Sequence, residues 1–351
     1  MAESNKRMRV RVAMAVLAAA VAGGVAAAPG QAGAKTYTIA VAMKTQVQRR
    51  WAFDAAAMKR EAEKLGVKLI FQWANDNPAT QASQVENLLS QNPDALILVP
   101  VDSTAAGSIV EAAHQQKVPV VGYDIGVSTA KLDFFVMRNN PMVGELQANG
   151  ALKFAPHGTF ALIKGDPGND VAQAIAKQYE RLLVGNKDIK VVFNQFIRGW
   201  DPKAALSNAE NVLSAQNDKV DAFVVSNDGM ATGVSQAIKS RNLVGKVYLS
   251  GLDADPANLQ LVAQGVQSMS VWTDLDEQGT TAVDAAAALA AGTKPAIESS
   301  MVDLGSGPVQ THFVKVIAVN KDNLCNFITH DAPSGWVTVK DVFPDNADAC
   351  K

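Results

Sequence analysis

The sequence predicts an α/β protein that consists of two doubly wound domains with parallel sheets. Short runs of β-branched and apolar residues alternate with helical patterns of about 10–15 residues, as in consecutive βαβ units. The strand runs are apolar throughout, which is expected where helices cover both faces of a sheet. The alternation runs through one set of elements and starts again after an amphipathic helix at 142–154. Two successive sets indicate two domains that pack side by side.

The N-terminus has the pattern of a secretory signal peptide. Four basic residues between positions 6 and 11 precede an apolar run at 12–28. Small residues follow up to Ala34, as a signal peptidase requires before its cleavage site. A membrane-spanning helix is the alternative, but about 17 residues rich in Ala and Gly are marginal for crossing a bilayer. We predict export with cleavage near Ala34, which makes 1–34 a signal peptide. Because no Cys lies near this position, we expect a periplasmic protein without a lipid anchor.

The remaining chain has the size of two ordinary domains. Removing the first 34 of 351 residues leaves 317, and it leaves 28 of the 32 basic and 33 of the 34 acidic residues, a net charge of −5. Two domains fit this length better than one. Nucleic-acid binding needs a surplus of basic residues, so we predict no nucleic-acid partner.

Both cysteines lie near the C-terminus. In an oxidising compartment Cys325 and Cys350 can form one disulfide that ties down the end of the chain, and two free thiols are the alternative. Their spacing excludes a zinc knuckle, and the four His residues are scattered without metal-ligand spacing. We therefore predict no metal and no cofactor.

The elements follow one another in a regular order. The first set has predicted strands at 37–43, 67–73, 95–99, 118–123 and 134–137, with helices at 51–65, 79–90 and 105–116. The second set opens with the helix at 142–154 and has predicted strands at 160–163, 189–196, 222–225, 247–250 and 268–272. Its other helices are predicted at 172–183, 204–215, 230–240 and 256–264, and a long Ala-rich helix follows at 274–291.

Polar and aromatic side chains follow the ends of these strands, where open α/β sheets bind their ligands. Carboxylates and amides hydrogen-bond hydroxyl groups, and an indole ring stacks on the apolar face of a sugar. Arg50 and Trp51 lie at the start of the first helix, and Arg50 can donate several hydrogen bonds. This mixture suits a small polyhydroxylated ligand. With Arg50 and Trp51, ten residues are predicted to bind the ligand, the others being Asp102, Asp124, Asn169, Trp200, Asn227, Asp253, Trp272 and Thr273. Asp228 is a further acid at a strand end.

Several candidates have a structural alternative. Asp102 and Asp228 precede helices and can serve as N-caps, and Trp51 can belong to the core. The Gly-rich stretch at 164–170 lacks phosphate-loop spacing, and Asn169 or Asp170 can cap the helix that follows it. The motifs of nucleophilic, phosphate-binding and zinc-dependent enzymes do not occur in the sequence. Paired strand-end acids could form a glycosidase site, but such pairs are common at sheet edges.

Six short motifs occur in a fixed order between about residues 38 and 323. They are Gln81-x-Ser83-Gln84-Val85-Glu86-Asn87, Tyr123-Asp124, Val143-Gly144-Glu145-Leu146-Gln147, Gly199-Trp200, Ser226-Asn227-Asp228 and Ser250-Gly251-x-Asp253-Ala254-Asp255. Together they make the chain resemble the periplasmic sugar-binding proteins of ABC transporters, in the ribose/galactose/xylose group, with the xylose-binding branch closest in pattern.

The resemblance implies two α/β lobes that are joined by three crossovers and close on the ligand like a hinge. The N-terminal lobe would comprise 35–140 and 275–308, and the C-terminal lobe 141–274 and 309–330, followed by a C-terminal tail at 331–351. The resemblance also implies sugar contacts. They fall on Arg50, Trp51, Asp124, Trp200, Asn227 and Asp253.

Four positions depart from the family pattern. They are Ile125 in place of an Arg, Asn169 in place of an Asp, Val171 in place of an Asn, and Thr273 in place of a Lys. These replacements are expected to remove at least two cationic donors from the pocket. A sugar that needs those donors should bind poorly, because an unmatched buried polar group costs about 1–3 kcal/mol. A less oxygenated sugar, a linear polyol or an inositol-like ring therefore becomes a candidate beside a xylose-like monosaccharide.

We interpret the chain as a monomeric periplasmic receptor that delivers a sugar or polyol to an ABC permease in the inner membrane. An exported enzyme that acts on a sugar is the competing hypothesis, and it would need a general base close to a reacting carbon. A sugar receptor for a sensory partner is a third.

Overall fold

The computed structural model describes residues 36–351. The predicted signal peptide and its cleavage at Ala34 lie outside the described residues. Within them, two parallel sheets are each covered by helices, and the predicted α/β fold class is confirmed. None of the helices in this part of the chain is both long and apolar enough to cross a membrane.

The elements alternate in the predicted order. The strands are β1 (Thr38–Met43), β2 (Lys68–Trp73), β3 (Ala95–Leu98), β4 (Val120–Tyr123), β5 (Phe134–Arg138), β6 (Gly158–Lys164), β7 (Ile189–Phe196), β8 (Ala222–Val225), β9 (Tyr248–Leu249), β10 (Met269–Thr273), β11 (Ser300–Asp303), β12 (Pro308–Val314) and β13 (Val316–Asn320). The helices are α1 (Arg50–Leu65), α2 (Pro78–Leu89), α3 (Gly107–Gln115), α4 (Asn140–Phe154), α5 (Asp170–Leu183), α6 (Pro202–Ala215), α7 (Asp228–Ser240), α8 (Pro256–Ala263), α9 (Leu275–Ala290), α10 (Leu324–Asn326) and α11 (Val339–Val342).

Two sheets organise the chain into two lobes. The first lobe has a seven-stranded sheet in the order β11-β12-β5-β4-β3-β1-β2, in which only the β11–β12 pair is antiparallel. The second lobe has a parallel four-stranded sheet in the order β7-β6-β8-β9, beside an antiparallel ribbon of β10 and β13. In each main sheet the parallel strands bring their carboxyl ends to one edge.

Each main sheet is buried on both faces, as its apolar strand sequences predict. In β1, Ala40 and Ala42 pack on one face with α2 and α3, whereas Ile39, Val41 and Met43 pack on the other face with α1 and α9. The alternation follows from the two-residue period of a strand. The second sheet has two equivalent clusters, so each lobe has its own core.

The chain passes between the lobes three times, and the third passage corrects a predicted boundary. The first two passages follow β5 and β10, close to the predicted boundaries. The third was predicted between 308 and 309. The structure places it at Lys315, because β12 (Pro308–Val314) still pairs in parallel with β5 of the first lobe, where Val309 and Val314 are buried. Only the following strand, β13, joins the second lobe.

The C-terminal segment is packed against the body of the protein. A disulfide joins Cys325 to Cys350. Between them Trp336 is fully buried, and its indole N–H donates to the carbonyl oxygen of Ala254 at 2.8 Å. Arg49 of the first lobe donates to the carbonyl oxygens of Gly335 and Trp336. Residues 331–351, predicted as a tail, therefore contact both lobes.

Candidate functional site

A small cavity lies where the carboxyl ends of the two main sheets face each other. The first lobe contributes the loop after β1, the start of α1 and the ends of β4 and β5. The second lobe contributes the segments that follow β6, β7, β8 and β9. The lining residues are Lys44, Gln48, Arg50, Trp51, Asp124, Ile125, Arg138, Asn169, Val171, Trp200, Asn227, Leu252 and Asp253. This is the position at which open α/β sheets bind ligands.

Asp124 is the centre of the charged network in the first lobe. Its two carboxylate oxygens accept from Nη2 of Arg138 at 2.6 and 2.7 Å, and Oδ1 lies 3.2 Å from Nη2 of Arg50. Gln278 on α9 donates to the same oxygen at 3.1 Å. Burial raises the pKa of Asp124, but the two guanidiniums and the amide outweigh burial, so its pKa is lowered. Asp124 is therefore a fixed negative charge.

Arg50 is held in place by an ion pair with Asp54 on the same helix. Arg50 Nε lies 3.2 Å from Asp54 Oδ2, one helical turn away on α1, and the hydroxyl of Tyr123 donates to the same carboxylate. The guanidinium also lies over the indole ring of Trp51, 4.5 Å from its centroid. Burial alone would lower the pKa of Arg50, but the surrounding carboxylates raise it well above its ordinary value. Arg50 thus remains charged and oriented.

Three buried guanidinium nitrogens at this cavity have no hydrogen-bond partner among the described residues. They are Nη1 of Arg50 and both Nε and Nη1 of Arg138. Oδ1 of Asp253, from the second lobe, lies 3.8 Å from Arg50 Nη1 and 3.6 Å from Arg138 Nη1. These separations are too long for direct hydrogen bonds, and an oxygen that bonds all three atoms would have to lie beside them, off the lines that join them.

Asp253 differs from Asp124 in its protonation. Burial raises its pKa to about 7, against the opposing effect of Arg50 and Arg138. Its backbone is also unusual. Asp253 has φ = 106°, and Asp124 and Trp200 have φ = 62° and 55°, so three cavity residues adopt the left-handed region that non-glycine residues seldom occupy. Such strain is retained where the surrounding structure enforces it, commonly at functional sites.

Asn169 links the two lobes at the cavity. Its amide nitrogen donates to the carbonyl oxygen of Val101 at 3.0 Å, and its Oδ1 lies 3.4 Å from both Lys44 Nζ and Trp200 Nε1. Trp200 is held close to Gly165, since a Cβ atom at that glycine would lie 2.2 Å from the indole. The ring of Trp200 can occupy this position because Gly165 has no side chain.

A second interlobe contact lies beside Asn169, at the N-terminus of α5. Asp170 Oδ2 accepts from the backbone N–H of Gly126 at 2.9 Å, and the hydroxyl of Ser103 accepts from the N–H of Asp170 at 3.1 Å. The N–H of Ser103 in turn donates to the carbonyl oxygen of Gly168 at 3.1 Å. Burial raises the pKa of Asp170 to about 6, although the backbone donors partly oppose it. Since Ser103 and Gly126 belong to the first lobe, these bonds fasten the lobes together.

Seven of the ten predicted ligand-binding residues line the cavity, and their role in binding stays a prediction. Asn227 is one of them, and it also caps α7 by accepting from the N–H of Met230 at 3.1 Å. The seven residues are Arg50, Trp51, Asp124, Asn169, Trp200, Asn227 and Asp253.

The structure places the other three elsewhere. Asp102 accepts from the N–H groups of Thr104 and Ala105 at 2.9 and 2.8 Å, so it caps the turn that precedes α3. The predicted alternative, an N-cap of the helix, is wrong because Ala106 holds that position. Trp272 packs in the core with Phe327 and Trp336. Thr273, next along β10, is also buried outside the cavity lining. β10 continues the second sheet through the Leu252–Val271 bridge and pairs with β13 on its other side. Trp272 misses the cavity because the C-terminal segment packs on it through Phe327 and Trp336.

The sequence interpretation missed three polar lining residues: Lys44, Gln48 and Arg138. The first follows β1 directly and the last ends β5, so the strand-end rule that found Asp124 could have found both. The expected loss of two cationic donors at the replaced positions stays a prediction, although the lining does contain cations. Ile125 and Thr273 do lack the charge, but Arg138 and Lys44 bring cations from other elements.

Comparisons with known proteins match most of the chain to one family. A family model described as a periplasmic binding protein domain matches residues 39–294. The chain is 35% identical over 301 residues to the D-xylose-binding periplasmic protein of Escherichia coli (strain K12), which covers 85% of this chain and 91% of that protein. It is 27% identical over 278 residues to a xylitol-binding protein of Mycolicibacterium smegmatis, covering 78% and 74% of the two chains.

A solved structure has the same fold. It is an ABC transporter solute-binding protein from Clostridium phytofermentans with bound β-D-glucose, and it superposes with a TM-score of 0.78 at 23% identity. The match covers 87% of this chain and 99% of that one.

Proposed function

Because this chain belongs to the family of periplasmic binding proteins, we propose that it is the solute receptor of an ABC importer and binds a monosaccharide or a short polyol in the interlobe cavity. The relatives support this proposal through their names, which include D-xylose-binding and xylitol-binding proteins. The cavity supports it independently through the chemistry of its lining.

One observation carries the proposal. The unpartnered Nη1 groups of Arg50 and Arg138 both face Oδ1 of Asp253 at 3.6–3.8 Å. A ligand hydroxyl beside these three atoms could accept from both guanidiniums and donate to the carboxylate, which uses its donor and acceptor capacity together. Charge-assisted hydrogen bonds of this kind are stronger than neutral ones. The arrangement therefore suits an alcohol.

The two indoles suit the carbon skeleton of the same ligand. Trp51 and Trp200 line the cavity from opposite lobes. The apolar C–H face of a sugar ring or an extended polyol can pack against an indole and gain from the buried apolar area. Since Arg50 already covers part of Trp51, Trp200 is the more important stacking surface in this proposal.

A ligand in this cavity would bridge the lobes and so favour the closed form. Arg50, Asp124 and Arg138 belong to the first lobe, whereas Asn227 and Asp253 belong to the second. A ligand shifts the equilibrium by its difference in affinity for the two forms, and contacts with both lobes exist only when the cleft is shut. In this proposal the inner-membrane permease recognises the closed monomer in the periplasm.

We also propose that the bound ligand leaves unchanged. Asp253 has a pKa of about 7, which would suit a general base, but its carboxylate lies beside two guanidiniums that compete for it. The cavity lining includes no Ser, Cys or His. Binding without catalysis is therefore the function that this lining favours.

A ligand screen tests the proposal. Purified protein is heated with pentoses, hexoses, inositols and linear polyols, and stabilising compounds are titrated by calorimetry. We expect at least one compound to raise the melting temperature, to bind with a stoichiometry of one and to be recovered chemically intact. Absence of any stabilising sugar or polyol, or chromatographic detection of a product, would contradict the receptor function.

A further inference from the structure

One wall of the cavity is entirely apolar. Ile125, Val171 and Leu252 line it, and their exposed fractions are only 2%, 3% and 2%. They come from three separate segments, which follow β4, β6 and β9, yet all three belong to one hydrophobic cluster that continues into the core of the second lobe. The three aliphatic side chains therefore line the cavity as members of one apolar cluster, which we call the wall.

Several backbone groups of this wall already have hydrogen-bond partners and are not free for a ligand hydroxyl. The N–H of Ile125 donates to the carbonyl oxygen of Tyr123 at 2.7 Å, and the N–H of Val171 donates to Oδ1 of Asp170 at 2.9 Å. The carbonyl oxygen of Leu252 accepts from the N–H of Asp228 at 2.9 Å. A hydroxyl pressed against these residues would lose its water without gaining a partner, which is unfavourable.

The wall is distinct from the surfaces that would take a sugar face. Flat indoles, here Trp51 and Trp200, are the groups that pack on the C–H face of a ring. Branched aliphatic side chains instead form a rounded surface that accommodates a methyl or methylene group. The charged network of Arg50, Asp124 and Arg138 uses none of the wall residues in its bonds. The cavity thus combines a charged hydroxyl-binding side with an apolar side.

We propose that the ligand is a deoxy sugar or deoxy polyol whose methyl or methylene group lies against Ile125, Val171 and Leu252. This inference rests on the proposed function and narrows it to one class of substrate. The remaining hydroxyls of such a ligand bind the guanidiniums and Asp253, while the carbon without oxygen contacts the wall.

Matched pairs of sugars test the inference by calorimetry on the purified protein. The pairs are L-fucose with L-galactose, L-rhamnose with L-mannose and 2-deoxy-D-ribose with D-ribose, together with each compound that stabilises the protein in the ligand screen and its monodeoxy forms. A hydrophobic contact of this size discriminates by about 10–200-fold. We expect a deoxy compound to bind most tightly, at least tenfold more tightly than its hydroxylated counterpart.

Two outcomes have different meanings. If a fully hydroxylated compound binds most tightly and its deoxy forms bind no better, this inference is overturned and the receptor function stands. If no sugar or polyol binds at all, both are overturned.

Variants at the wall provide the control. Val171→Asn adds a hydrogen-bonding group of similar size and should shift the preference at least tenfold towards the hydroxylated member of the pair. Val171→Ala keeps the wall apolar and should preserve the direction of the preference. An unchanged preference in Val171→Asn, in protein with an unchanged melting temperature, would overturn the inference.

Discussion

Arg138 Nη1 lies 3.6 Å from Asp253 Oδ1, so a guanidinium at the end of the first lobe's β5 faces a carboxylate of the second lobe across the cavity. The other terminal nitrogen of Arg138 is already held by Asp124 at 2.6 and 2.7 Å. One side chain is therefore fixed within its own lobe and presents its remaining N–H groups to the other. We expect a ligand oxygen that bonds both side chains to couple binding to closure.

Removing this guanidinium should weaken ligand binding and also lower the free energy of unfolding, because the buried Asp124 keeps only Arg50 as a cationic partner. Arg138→Gln loses the charged donors, and hydrogen bonds to charged groups contribute about 1.5–3 kcal/mol each, so affinity should fall at least tenfold. Calorimetric titration measures the change. Arg241→Gln, which removes a surface ion pair with Asp218, is the matched control and should bind normally. Equal affinities for the two variants would exclude Arg138 from the binding site.

The site residues that could be predicted from the sequence follow from one rule, which places the ligand at the carboxyl ends of the strands. Asp124, Asn227 and Asp253 each follow a short apolar strand, and local sequence is enough to identify such strands. Trp272 satisfied the same rule but lies in the core, because Phe327 and Trp336 of the distant C-terminal segment pack on it. The third crossover was misplaced for the same reason, since the pairing of β12 with β5 is a contact between distant segments.

Arg138 shows a second limit of prediction from the sequence. It is the last residue of a strand whose other members are apolar, and a charged residue there looks like a solvated strand end. The ion pair that buries it involves Asp124 from the neighbouring strand and cannot be inferred from local pattern.

The Asp170 contact should make ligand binding depend on pH. Its pKa is about 6 in the closed protein because it is buried between the lobes, whereas an open cleft would return it towards 3.8. A raised pKa means that closure takes up a proton between these values, so affinity should rise as the pH falls from 7 to 5. Titrations at pH 5 in buffers of different ionisation enthalpy should detect proton uptake on binding, of which Asp170 contributes less than one proton per ligand.

Asp170→Asn provides the comparison for this pH effect. The amide keeps an oxygen acceptor for the N–H of Gly126 but does not titrate. The variant should lack the contribution of the Asp170 carboxyl to the proton uptake and should still bind ligand. The same uptake in both proteins would assign the effect to another group.

Trp336 should position the loop that carries Asp253. Its indole N–H donates to the carbonyl oxygen of Ala254, the residue after Asp253. Trp336→Phe keeps an aromatic ring but leaves that buried carbonyl unpaired, at a cost of about 1–3 kcal/mol. We expect a lower free energy of unfolding in urea and weaker ligand binding. Trp73→Phe, on β2 away from the cavity, should leave binding unchanged. Unchanged binding in Trp336→Phe would mean that the hydrogen bond of Trp336 does not position Asp253.

The disulfide should stabilise the C-terminal segment. Cys325 and Cys350 are separated by 25 residues, and closing a loop of that length contributes about 3 kcal/mol in the chain-entropy description. Cys350→Ser should lower the melting temperature, and a reducing agent should lower it in the parent protein but not in the variant. Mass spectrometry of unreduced protein checks that the bond is present. A melting temperature that responds to neither change would mean that the segment is held by its packing alone.

The position of Trp200 should depend on Gly165. A Cβ atom added there would lie 2.2 Å from the indole, closer than packing allows, so Gly165→Ala must displace the ring. If the ring stacks on the ligand, this variant and Trp200→Ala should each weaken binding by about 1–3 kcal/mol. Gly229→Ala is the control, because its Cβ would meet only Asn227 at 3.5 Å, an ordinary contact. Ligand affinity measured by calorimetry distinguishes the variants, and normal affinity in Trp200→Ala would remove the indole from the site whatever Gly165→Ala does.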